Sequence, residues 1–233
     1  MSPYSRPEGV GNMQRIPEPE ELMDQADQAQ AYAQADFSEA NQLFIGLLES
    51  QAGGPLNGHL LDLGCGPAEI PLALARRHPE LHIDAVDGAR AMLDLAQRKI
   101  DADESDARRR IRLICEYLPC NTLPGQNYQL IGSNSLLHHL ADPQAMWQTV
   151  AGARPGTGVV IMDLARPASE LAVDAMVETY AIDEPDVLRN DFRNSLFAAY
   201  RVAEVEDQLQ RAGLHTLNAG MVSDRHLAVI GHI

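Results

Sequence analysis

Between residues 59 and 165 the chain alternates short apolar runs with helix-patterned stretches, and this alternation restricts the fold more than any other feature. "HLLDLG", "LHIDAVDG", "IRLICEY", "YQLIGSNS" and "VVIMDLA" read as strands, and "EIPLALARRHP", "AMLDLAQRKIDAD" and "DPQAMWQTVAGA" as helices among them. Strands separated by helices of about 10 to 15 residues imply right-handed crossovers and a parallel sheet that binds ligands at its carboxyl edge. The chain closes differently. Helical stretches at 168–181 and 185–199 and a helix "VAEVEDQLQRAG" lead to "LHTLNAGMV" and "RHLAVIGHI", with only Ser223-Asp224-Arg225 between the last two runs. So short a link holds no crossover helix, so these two strands pair as an antiparallel hairpin. Upstream, residues 20–50 are helix formers, with Leu43, Phe44, Leu47 and Leu48 at helical spacing before the breaker "GGP". They read as a helical cap, and the Pro- and Gly-containing first 20 residues as flexible.

The 233 residues, 45% of them apolar, fit one domain with a sizeable core. Cys65, Cys115 and Cys120 cannot all pair and match no zinc spacing, so free thiols, a reducing compartment and no metal are expected. The opening "MSPYSRPEGVGNMQRIPEPE" has no apolar core of a signal peptide, and no run reaches the ~18 apolar residues of a span. A cytoplasmic protein without membrane contact is expected. The net charge of -15 opposes binding to phosphate backbones. The one dense basic cluster, Arg108-Arg109-Arg110, follows the acidic "DADESDA" and reads as a solvated helix end, so no nucleic-acid partner is expected. Nothing in the sequence sets an oligomeric state.

"LLDLGCGPAEI" stops a strand on Gly64-Cys65-Gly66. A glycine pair there lets the backbone turn sharply and approach a ligand that a Cβ would hold off. The third glycine of a dinucleotide loop is missing, with Glu69 in its place, so the turn alone is either a binding loop or an ordinary strand-to-helix turn. Asp87 closes "IDAVD" 21 positions after Gly66, the distance at which an acid after strand two accepts hydrogen bonds from ribose hydroxyls.

With these residues in place the chain resembles the class I S-adenosylmethionine-dependent methyltransferases, from about residue 55 to its end, through "LLDLGCGPAEI", "IDAVDGARAML", "YQLIGSNSLLHHLADP" and "ARPGTGVVIMDLARP". Its layout, with "LRNDFRNSL" and the final hairpin, is also similar to carboxy-S-adenosylmethionine synthase of the wobble-uridine pathway. The resemblance implies an α/β fold: a Rossmann-like, doubly wound, mostly parallel seven-stranded sheet ending in an antiparallel hairpin, with an N-terminal helical cap. Residues 1–50 are then flexible N-terminus and cap, and 51–233 a methyltransferase domain with inserted helices at 168–199. The implied activity is transfer of the methyl group of S-adenosylmethionine to an oxygen or nitrogen of a small-molecule acceptor. A carboxy-S-adenosylmethionine synthase-like or tRNA-modifying enzyme, and a non-enzymatic cofactor-binding module, are the alternatives.

The same resemblance implies the roles of single residues. The turn Asp62-Leu63-Gly64-Cys65-Gly66 cradles the methionine part, with Asp62 facing its ammonium group, and Asp87 holds the ribose; Gly88 and Met92 follow in the same wall. Many relatives carry "GD" after strand three, whereas this chain has "LICEYLPC", so Glu116, Tyr117 or backbone groups meet the adenine. After strand four come Asn134, a polar strand end expected to be catalytic and to bind the cofactor, and His138 and His139, catalytic as bases or else structural and cofactor-lining. Asp163 either fixes local backbone or touches substrate. Tyr32 either packs in the core or closes over the sulfonium with its π face. Arg189, Arg193, Asn194 and Tyr200 lie where relatives build the acceptor pocket, with surface ion pairs the plain alternative for the arginines. Cys65 serves as a small loop residue, not a nucleophile.

Overall fold

The computed structural model describes residues 13–18, 29–30, 32–33, 35–120 and 127–233. Helix α1 (Ser38–Ala52) precedes β1 (Gly58–Leu63), α2 (Glu69–Arg77), β2 (Leu81–Asp87), α3 (Arg90–Asp101), β3 (Ile111–Cys115) and β4 (Tyr128–Asn134). Then follow α4 (Gln144–Ala151), β5 (Gly158–Leu164), α5 (Glu170–Tyr180), α6 (Asp186–Ala198), α7 (Val202–Ala212), β6 (Leu217–Met221) and β7 (His226–His232). The seven strands form one sheet in the order β3-β2-β1-β4-β5-β7-β6. β1 to β5 are mutually parallel, and β7 runs antiparallel to both β5 and β6. The direction of winding reverses between β1 and β4, which opens a crevice at the carboxyl ends of those two strands.

A polar cross-link ties three strands together away from that crevice, through the first residue of β4. Asp84 of β2 accepts two bonds from Arg112 of β3, at 2.8 and 2.5 Å, and a third from the Tyr128 hydroxyl of β4 at 2.6 Å. One sheet face packs against α4 and α7, where the Trp147 indole N–H donates to the Gln208 side-chain oxygen at 2.9 Å and leaves no buried donor unpaired. The other face packs against α1, α2 and α3. Here Gly132 of β4 has a structural reason: a Cβ would stand 3.2 Å from the Phe44 ring and 3.3 Å from Leu48, which lie fully buried on the strand.

The helix expected over 20–50 is interrupted where it is described. Asp36 accepts the Ser38 amide N–H at 2.9 Å, and a side chain that captures a backbone donor starts a new helix there. Residues 19–28, 31 and 34 lie outside the described residues, as do residues 1–12. Met13–Glu18, expected within the flexible N-terminus, is anchored. Arg15 donates to the Ala198, His138 and Leu140 carbonyls at 2.6, 2.9 and 3.2 Å and lies 4.2 Å over the Tyr200 ring. No helix among the described residues is long and apolar enough to cross a membrane.

Because Phe44 docks α1 onto the sheet, Phe44→Ala is expected to cost ~3–5 kcal/mol, read as a lowered urea midpoint with an unchanged slope.

Candidate active site

β1 delivers Asp62 and the glycine turn to the carboxyl edge. Gly64 (φ +75°) and Gly66 (φ +52°) both take left-handed backbone, as their residue type allows. A Cβ on Gly64 would stand 2.9 Å from the Leu136 side chain, whereas one on Gly66 would meet nothing within 4 Å, so Gly66 faces open space. Ala68 (φ +61°) and Ser135 (φ +56°) are the described non-glycine residues with left-handed backbone, and both sit at this edge. Such strain concentrates at ligand sites.

Asp87 holds the turn. One carboxylate oxygen accepts the Gly66 amide and the other the Ala89 amide, each at 2.8 Å. Asp62 is buried, and burial together with the nearby Asp87 charge pushes its carboxyl up to about 7. The Cys65 thiol packs with Leu74 and Leu93, and burial raises its pKa, as expected of a small loop residue without nucleophilic character.

Two cavities meet at this edge. A cleft of about 110 Å³ is lined by Gly64, Val86, Asp87, Gly88, Ala89, Met92, Glu116, Tyr117, Leu118 and Leu136. A chamber of about 220 Å³ extends from it between α1, α5, α6 and the β6–β7 turn, lined by Phe37, Asn41, Asn134, His138, Leu188, Phe192, Ser195, Arg225 and His226, among others. Tyr32, Ser135 and His139 line both. The Tyr32 ring stacks obliquely on Phe37 with centroids 4.7 Å apart, and also packs against Ala29 and Met92. It thus makes core contacts and also lines both cavities. Burial, with the Asp87 charge, pushes its phenol up to about 12, so it stays neutral.

At the junction the histidine pair has two different settings. His138 is buried, with Nδ1 2.5 Å from Asp163 Oδ1, and Asp163 also accepts the Leu164 amide at 2.6 Å. Burial opposes a charge on this imidazole, but the Asp163 carboxylate outweighs it and raises the pKa, while the imidazolium holds Asp163 low against its own burial. His139 points Nδ1 at Glu18, 2.6 Å away, and Glu18 also accepts from the Ser195 hydroxyl at 2.7 Å. Burial works against the Glu18 charge, and the His139 hydrogen bond with both imidazoles keeps it low. Asn134, which lines the chamber, has a buried Oδ1 without a hydrogen-bond partner among the described residues.

Not every expected residue reaches these cavities: of the turn Asp62-Leu63-Gly64-Cys65-Gly66, only Gly64 lines one of them. Asp163 is a backbone and histidine anchor. Arg189 is bonded to Glu178 at 2.5 Å, and Arg193 to Glu170 and Asp174 at 2.9 Å, so both tie α6 to α5 in the ion-pair alternative. Asn194 is exposed, and Tyr200 is buried beneath Arg15 with its hydroxyl on the Leu140 carbonyl at 3.4 Å. None of these five lines the chamber. The chamber residues that the sequence reading missed include Arg225 and His226 at the β6–β7 turn, and the N-terminal segment reaches the histidine turn through Glu18. Arg225 lies 3.7 Å over the Tyr180 ring and donates to Glu39 at 2.8 Å; the His226 amide donates to the Ser223 hydroxyl at 3.0 Å, its Nδ1 lies 2.9 Å from the same oxygen, and burial, with the Arg225 charge, lowers the imidazole pKa. Leu164 pairs with His226, so the antiparallel hairpin itself carries this turn to the carboxyl edge; that signal was present in "SDRH".

A family model described as a methyltransferase domain matches residues 61–173. The chain is 44% identical over 48 residues to carboxy-S-adenosyl-L-methionine synthase of Campylobacter lari, covering 21% of this chain and 20% of that protein. It is 33% identical over 107 residues to trans-aconitate 2-methyltransferase of Mycobacterium ulcerans, covering 44% and 36% respectively. The matches thus span well under half of these relatives. The solved plantazolicin methyltransferase in complex with SAH superposes over 89% of this chain and 91% of its own with a TM-score of 0.67, at 11% identity, a likeness of fold.

The Asp62 setting has a signed consequence. Its folded-state pKa stands above the ordinary 3.8, so the native state loses stability as pH rises from about 4 to about 7. Asp62→Asn is expected to melt higher than the parent at pH 8, by an amount on the order of 2 kcal/mol, and no higher at pH 4. Melting curves across that range check it.

Proposed function

We propose, from the premise that the chain belongs to the class I S-adenosylmethionine-dependent methyltransferase superfamily, that it is an enzyme transferring the cofactor's methyl group to an oxygen or nitrogen of a small molecule. The observation that carries this reading is the junction of the two cavities at Tyr32, Ser135 and His139. One side suits a nucleoside and the other an acceptor.

The residues fit the cofactor. Gly66 opens onto space that any side chain would occupy, and Asn134 offers an unpartnered oxygen. When bound, S-adenosylmethionine supplies a methyl group activated by a sulfonium. Asp62 meets the ammonium group, and a cation beside it favours the charged carboxylate that burial disfavours. Asp87, immobilised by two amides, takes the ribose hydroxyls, and Gly88 and Met92 complete that wall. Glu116 and Tyr117 form the adenine rim. The neutral Tyr32 ring gives a π face to positive charge at the junction. With its Nδ1–H donated to Glu18, His139 keeps Nε2 as an acceptor and takes the proton of an O–H or N–H nucleophile. His138, pinned by Asp163, positions this turn and lines the chamber.

Asp36, Glu39, Glu184 and Asp191 stand around the chamber, and Arg225 is engaged by Glu39 and Asp224. This balance supports a neutral or basic small molecule and disfavours nucleic acid, as does the net charge of -15. The carboxy-S-adenosylmethionine synthase-like reading asks for an arginine available to an extra carboxylate. Arg189 and Arg193 are committed to α5, which weakens it.

Incubation of the protein with labelled S-adenosylmethionine and a metabolite extract tests the proposal. Label is expected in a nuclease-resistant small-molecule fraction, with release of S-adenosylhomocysteine. Label in tRNA, or recovery of a carboxylated cofactor, points to the alternatives. In calorimetry, Asp87→Ala is expected to weaken S-adenosylhomocysteine binding by ~1.5–3 kcal/mol through lost charge-assisted hydrogen bonds. His139→Gln is expected to lower kcat by ~10²-fold or more, measured at saturating acceptor.

A further inference from the structure

We propose that Glu18, His138 and His139 form a binding site for one divalent transition-metal ion in the wall of the acceptor chamber. One donor atom from each side chain lies within 4.8 Å of the other two. His139 Nδ1 stands 2.6 Å from one Glu18 oxygen and His138 Nε2 3.9 Å from the other. Metal–ligand bonds of about 2.0–2.2 Å put neighbouring donors about 3–3.5 Å apart, and these separations bracket that spacing. Small rotations of the three side chains suffice to close on an ion.

The outer contacts are those a metal site needs. Asp163 accepts from His138 Nδ1 at 2.5 Å, which fixes the ring and leaves Nε2 toward Glu18, the carboxylate–histidine arrangement that orients metal ligands. Ser195 donates to Glu18, and Arg15, three residues from Glu18, donates to the carbonyl of His138 itself. The N-terminal segment is thereby fastened to the turn that carries both imidazoles. Two imidazoles and a carboxylate without sulfur suit zinc, manganese, iron, cobalt or nickel, and three protein donors leave coordination positions open.

Those open positions face the chamber, because His138, His139 and Ser195 all line it. An ion held by His139 Nδ1 would replace its hydrogen bond to Glu18 and leave the ring proton on Nε2, so in the metal-loaded protein an ion-bound acceptor hydroxyl, its proton passing to solvent, would take the place of His139 acting as base. That chemical role rests on the methyltransferase reading; binding of the ion does not. Cysteine spacing, from which no metal was expected, carries no information on this site, since its donors come from a segment and a turn more than a hundred residues apart.

The test uses the full chain without a histidine tag, dialysed against a chelator and titrated separately with Co²⁺, followed by its visible absorption, and with Zn²⁺, followed by calorimetry. One ion per chain with a micromolar or tighter Kd is expected. Glu18→Gln and His139→Ala should each weaken binding at least tenfold, and Asp163→Asn by ~10–100-fold. His215→Ala, at an exposed histidine far from the site in sequence, should leave it unchanged. Circular dichroism of each variant verifies folding. Absence of saturable binding, or binding that Glu18→Gln and His139→Ala leave intact, overturns the site. S-adenosylhomocysteine titrated into the same metal-free protein tests the methyltransferase reading by itself, so the two can fail separately.

Discussion

The carboxylate of Asp87 holds the site together. Its two oxygens bind the amides of Gly66 and Ala89, so the last residue of β2 fixes both the turn leaving β1 and the start of α3. A glycine turn left to itself has many conformations, and the entropy of ordering it opposes ligand binding. Charge-assisted bonds to a residue anchored in the sheet remove that freedom before any ligand arrives. The same carboxylate contributes to raising the pKa of Asp62 and of Tyr32, so the geometry and the electrostatics of the cleft have one origin.

A second anchored carboxylate, Asp163 at the end of β5, plays the corresponding part on the chamber side. It holds His138, whose neighbour His139 reaches the junction and meets Glu18 from the N-terminal segment. Glu18 is half-buried there, three residues after Arg15, which satisfies three carbonyls on α6 and the histidine turn. This polar cluster is therefore assembled from separated parts of the chain, and its groups are paired across them. Buried polar clusters of this kind persist when their members are satisfied, and among the described residues Asn134 Oδ1 is the buried side-chain polar atom left without a partner.

Much of this was written locally in the sequence. The strand and helix periodicities of "HLLDLG" through "VVIMDLA" needed only neighbouring residues to express them, and the three-residue link Ser223-Asp224-Arg225 permitted nothing but a hairpin. Gly64, Gly66 and Asp87 were legible because their chemistry is a matter of backbone freedom and spacing along one βαβ unit. Tyr32, Asn134, His138 and His139 could be placed near the site because strand ends and the cap face one edge of a parallel sheet.

Which way each side chain turned was decided by partners distant in sequence. Arg189 and Arg193 sit on the inserted helix where a pocket was expected, yet Glu178, Glu170 and Asp174 on α5 satisfy them, and an ion pair already formed leaves no reason to face the chamber. Tyr200 met Arg15 and the core, Asp163 met His138, and Glu18 came from a stretch that reads as flexible. Sequence by itself determined the seven strands and the glycine turn, because those depend on local periodicity and conformational freedom, whereas the clamping of that turn by Asp87 emerged only in the fold. The tertiary structure alone decided which charges were spent on packing and which remained at the junction, because pairing energy depends on distances that only the folded chain sets.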